Sequence, residues 1–107
     1  MWWDRVRPGP LLHAEAPGDA AARVVLRGAV DAHAAARLGE ALARLRAQGA
    51  HTMEIDLTAV VFLSRDAVWL LLNHVREEGS LEALRLVGAS GQPEYTLRRT
   101  GLGRTLH

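Results

Sequence analysis

Residues 53–75 read MEIDLTAVVFLSRDAVWLLLNHV. The first half is short, apolar and rich in β-branched residues: it alternates from Met53 to Leu57, then runs apolar from Val60 to Leu63, which predicts a strand. Ser64 supplies an N-cap, because its hydroxyl can accept from an otherwise unpaired amide of a first helical turn. A helix is therefore expected from about Arg65. Asp66 then falls in the first turn, where the positive end of the helix dipole favours an anion by roughly 0.3–1 kcal/mol. Projected at about 100° per residue, Ala67, Val68, Leu71 and Val75 point to the sheet, while Asp66, Trp69, Asn73 and Arg76 lie on the other side. The strand-to-helix turn is where function is expected.

Working outward, residues 11–16 form a weak strand, Pro17-Gly18-Asp19 a turn, and residues 23–27 a stronger strand that pairs antiparallel with the first. Residues 28–31 close that strand. Ala34, Leu38, Ala41, Leu42 and Leu45 then share one helical face, with Arg37, Glu40 and Arg44 opposite. Asp31 is placed as its N-cap and Gly49 just past its end, giving a helix of about 16 residues. A strand, helix and strand in so short a span make a crossover to a parallel neighbour. The pattern repeats: the helix after Ser64 ends at Gly79-Ser80, and residues 83–87 form the next strand. Residues 93–100 read as a third helix, with Gly101 at its end and Leu102 returning to the core. The expected assembly is α/β, a four- to five-stranded mixed sheet with helices packed mainly on one face.

The 107 residues fit one domain, 11–107, preceded by an arm at 1–10 that holds Trp2, Trp3, Pro8, Gly9 and Pro10. Those rings either fold onto the domain or make a partner or homodimer contact. All thirteen basic residues other than histidine are arginines. With no lysine, a Walker-type phosphate loop and Schiff-base chemistry are excluded. With no cysteine, thiol catalysis, disulfides and thiolate zinc sites are excluded too. A formal net charge of +1 and no long basic run argue against a nucleic-acid partner. No run of about 18 apolar residues and no apolar leader segment occur, so a cytoplasmic protein without direct membrane insertion is expected.

Five blocks carry a resemblance: VVLRGAVD at 24–31, IDLTAVVFL at 55–63, LLL at 70–72, LRLVG at 84–88 and LRRTGL at 97–102. Their series resembles the STAS domain of anti-sigma factor antagonists and sulfate-transporter tails, from about Leu11 onward. The resemblance implies a bacterial signalling module that regulates transcription by protein–protein interaction and is not an enzyme. Its implied partner is a kinase-like anti-sigma factor; the rival implied role is a STAS subunit of a lipid-type ABC transporter or of a signalling scaffold. Domains of this family usually continue past the Thr-Gly-Leu block into another strand-like segment and a helix. This sequence ends at His107, so either a minimal version or a partner-covered face is expected.

In the antagonists the turn before the second helix reads approximately Asp-Ser-Ser-Gly, and its second serine is the phosphoacceptor. Alignment on Phe62-Leu63 and Leu70-Leu71 puts Ser64 and Arg65 at the first two positions, Asp66 at the acceptor and Ala67 at the glycine. A carboxylate there imitates the phosphorylated state with less charge, or only stabilises the helix start; both roles fit Asp66. Trp69 is read as an exposed interface aromatic beside the turn. Asp31 is read as a cap and as part of the same surface, and Asp56 as structural. The partner-binding set is thus Asp31, Ser64, Arg65, Asp66, Ala67, Trp69 and Asn73. The five histidines lack ligand spacing, and no catalytic residue, metal or cofactor is expected.

Overall fold

The computed structural model describes residues 21–107 together with the backbone course of residues 12–18. The Trp2-Trp3 arm and the Asp19 end of the first turn lie outside the described residues. Strands β1 (Leu12–Gly18) and β2 (Ala21–Val30) pair antiparallel. Helix α1 (Ala32–Ala47) then crosses to β3 (Thr52–Leu63), parallel to β2, and α2 (Arg65–Glu78) crosses to β4 (Leu84–Val87), parallel to β3. Helix α3 (Gly91–Arg99) follows, and 3-10 turns occupy Leu81–Ala83 and Gly103–Thr105.

Four strands form a mixed sheet, the lower of the two expected numbers. The sheet is a parallel block of three, β2-β3-β4, with β1 added antiparallel on the β2 edge. No fifth strand forms among the described residues. Past β4 there is a single parallel bridge, Leu106 to Leu86, with the His107 amide donating to the Leu86 carbonyl at 2.8 Å.

Alternation sorts the two faces of the sheet. Ala22, Val24 and Leu26 from β2, Met53, Ile55 and Leu57 from β3, and Leu84 and Leu86 from β4 are buried. They meet Leu38, Leu42 and Leu45 of α1 and Val68 and Leu71 of α2 in one aliphatic core. Each such Leu or Ile contributes about 1.5–3 kcal/mol by leaving water. The opposite face carries charge across the parallel strands. Arg23 Nε donates to Glu54 Oε2 at 3.0 Å, Arg23 Nη2 to Asp56 Oδ2 at 3.0 Å, and Arg85 Nε lies 3.4 Å from Glu54 Oε1.

One local expectation changes. Residues 28–31 do not close β2. The strand runs on to Val30, with Gly28 at φ +79° where the pairing with β3 shifts register, a conformation that glycine adopts without steric cost. Strand β3 is continuous over 12 residues. The Asp56 carboxylate accepts from the Thr58 amide at 2.9 Å and accommodates the irregularity. Gly88, at φ +76°, packs against that spot: a Cβ there would meet the Thr58 side chain and lie 3.0 Å from its Cα.

Candidate functional site

Val30 and Leu63 are register partners at the ends of neighbouring parallel strands, so the residues that follow them begin two helices side by side. Asp31 Oδ1 accepts from the Ala34 amide at 2.8 Å, and Ser64 Oγ accepts from the Ala67 amide at 3.2 Å. Both are N-caps with extended backbone. The Ser64 amide also donates to the Val30 carbonyl at 2.9 Å, which ties the second turn to the first.

The turn is held from its other side by a residue the sequence reading passed over. The Gln92 side-chain amide meets both backbone groups of Leu63: Leu63 N–H donates to Oε1 at 2.8 Å, and Nε2 donates to the Leu63 carbonyl at 3.0 Å. A side-chain amide thus takes the place of a neighbouring strand at the last residue before Ser64. Gln92 is an exposed polar residue in the first turn of a helix, 29 positions away, and nothing local in the sequence marks such a contact.

Asp66 and Arg65 are exposed on the first turn of α2. Trp69 is half exposed, with the Arg76 guanidinium 5.3 Å from its ring centroid, and Asn73 is partly buried one turn further on. Asp66, Trp69 and Leu70 face Ala32, Ala35 and Ala36 of α1 across a shallow groove of about 230 Å³. The two helices approach closely because Gly39 lacks a side chain: a Cβ there would lie 3.2 Å from Leu70 Cδ2. Ala67 is corrected as a contact residue, since its side chain is fully buried and offers nothing to a partner. Val61 and Phe62 at the end of β3, and Tyr95 on α3, add exposed apolar surface that the sequence reading did not single out.

The wheel for α2 also changes in one place. Val75 is only partly buried, whereas His74 is 1% exposed. Arg46 can only donate, so its Nη1 at 3.1 Å fixes His74 Nδ1 as the acceptor, and Nε2–H donates to the Ala83 carbonyl at 3.1 Å. Burial holds this imidazole below its ordinary pKa, and the Arg46 charge acts the same way. Asp56 is held below the usual carboxylate range by hydrogen bonds from the Thr58 side chain and amide, with the Arg23 charge adding to them. Among the described residues, no three metal-ligating side chains come together. Within the same residues, no helix is long and apolar enough to cross a membrane.

The family model described as Mlab, STAS domain, matches residues 13–107, and the chain belongs to this STAS family. Solved structures share the fold. The anti-sigma factor antagonist SpoIIAA in its unphosphorylated form superposes with a TM-score of 0.79 at 21% identity, over 90% of this chain and 85% of that one. The phosphorylated form of SpoIIAA, the Bacillus cell fate determinant, gives 0.73 at 21% identity over 90% and 88%. An anti-sigma factor antagonist from Mycobacterium paratuberculosis gives 0.78 at 24% identity over 94% and 88%. A sequence search of curated proteins gives no match.

Proposed function

We propose that this chain is a non-catalytic bacterial protein-binding module of the anti-sigma factor antagonist type, acting in the cytoplasm on a kinase-like anti-sigma factor. The observation that carries the reading is the pairing of the two helix starts: Asp31 beside the Ser64 turn, with Asp66 and Trp69 presented next to them. The binding surface is then Asp31, Ser64, Arg65, Asp66, Trp69 and Asn73. Asp66 stands at the acceptor position the resemblance assigns, so no hydroxyl is available there to a kinase. A fixed carboxylate replaces a switchable phosphate, so binding through this turn is not released by phosphorylation.

The family description supports a second reading, a STAS subunit docked on the ATPase of a lipid-type ABC transporter. The same exposed turn would serve. Affinity capture from a lysate of the source organism, with wild type beside Trp69→Ala and identification by mass spectrometry, separates the two. Recovery of a kinase-like anti-sigma protein with wild type alone supports the first reading. Recovery of transporter ATPase subunits overturns it in favour of the second.

A further inference from the structure

We propose that the groove between the first turns of α1 and α2 receives one cationic side chain of the partner, of the guanidinium type, with Asp66 as its counter-ion. The inference rests on reading this turn as the partner-binding surface. It names the chemistry that the surface selects.

The lining separates into an apolar floor and one charge. Ala32, Ala35, Ala36 and Leu70 offer no side-chain hydrogen-bonding group, and Trp69 forms a wall. Asp66 is the single charged residue among those that line the groove. Among the described residues nothing hydrogen-bonds or ion-pairs with its carboxylate. An apolar occupant would cover that carboxylate without pairing it, which costs desolvation, and an acidic one would add like-charge repulsion. A cation on an aliphatic stem satisfies both parts: methylenes lie on the alanine methyls and the head meets the carboxylate.

A guanidinium fits better than an ammonium. Its planar fork matches a carboxylate with two parallel hydrogen bonds and stacks on an aromatic face, whereas an ammonium is a strongly hydrated point charge. Trp69 already accepts a guanidinium in this structure, that of Arg76 at 5.3 Å. The groove holds one long side chain and not a helix or strand, so it acts as a point of selection within a larger contact.

The test uses the isolated chain and needs no partner protein. Isotopically labelled protein is titrated with n-butylguanidinium, n-butylammonium and the neutral isostere n-butylurea, while NMR follows the methyls of Ala32, Ala36 and Leu70 and the Trp69 indole. Saturable shifts are expected with the guanidinium compound, with the urea about tenfold weaker, the loss that accompanies removal of one charge-assisted pair. Asp66→Asn should erase that preference, and added salt should reduce it. Equal binding of guanidinium and urea, a preference that survives Asp66→Asn, or shifts only elsewhere would overturn the proposal. Ammonium binding as well as guanidinium would overturn the guanidinium assignment. Lysate capture reports on the partner's identity, so failure there and failure here are read independently.

Discussion

The amide of Ser64 donates to the carbonyl of Val30 at 2.9 Å, one step past the point where Val30 and Leu63 pair across β2 and β3. That bond makes the two helix starts a single unit. Asp31 and Ser64 each cap their own helix, yet neither turn can shift without dragging the neighbouring strand end.

Gln92 completes the restraint, and its removal should be felt at Leu63. Gln92→Ala strips a partner from both the amide and the carbonyl of that residue. A loss of about 1–2 kcal/mol is expected in urea unfolding, with faster amide exchange at Leu63 and Ser64. Gln92→Glu can still accept from the Leu63 amide but cannot donate to its carbonyl when ionised, so it should fall between wild type and alanine.

His74 should give the fold an acid-sensitive limb. Its pKa in the folded protein lies below the ordinary 6.5, so the unfolded chain binds more protons in the interval between the two values. The contribution is complete above about pH 6.5 and is lost as pH falls through the folded value. Arg46, Glu77, Glu78 and His51 surround this region: Arg46 disfavours the imidazolium, while Glu78 favours it. Urea midpoints should therefore drop as pH falls below about 6.5 in wild type, and His74→Gln should flatten that part of the profile.

Trp69→Ala removes a half-exposed ring and its contact with Arg76. The expected stability cost is about 0.5–1 kcal/mol, the size of an exposed cation–π contact. Partner capture should be abolished by this change and by Asp66→Arg, both with melting temperatures near wild type. A large thermal shift with capture intact would make those side chains structural.

Gly88→Ala should be the most damaging single-methyl change in the turn after β4. The residue sits at φ +76°, and the added Cβ would run into Thr58. A cost of about 2 kcal/mol or more is expected from the strained backbone and the clash together, read as a lowered urea midpoint. Thr58→Ala in the same chain should recover only part of it, because the Thr58 backbone lies in the way as well.

What the sequence makes legible is local. The alternation from Met53 to Leu57, the caps at Asp31 and Ser64, and the left-handed Gly79 that ends α2 all depend on neighbours within a few residues. The features that escape it are long-range. His74 sits where a helical wheel favours Val75 because Arg46 and the Ala83 carbonyl supply its partners. Ala67 is no such case: the helical wheel already turns it to the sheet, and it is buried there, although its place in the turn puts it among the expected contact residues. The Gln92 contact joins two elements that periodicity cannot relate. The register shift beside Thr58, where the Asp56 carboxylate accepts from the Thr58 amide, is likewise something hydropathy does not record.

The ladder of Arg23, Glu54 and Arg85 has a use apart from the modest energy of partly exposed ion pairs. Arg23 pairs across the strands with Glu54, and Glu54 with Arg85, so plus, minus and plus stand in a row over the uncovered side of the sheet. Sliding any one strand by a single residue would turn its charge into the aliphatic core and its buried apolar neighbours out to water. The row therefore works as a key that only one alignment of the three strands can turn.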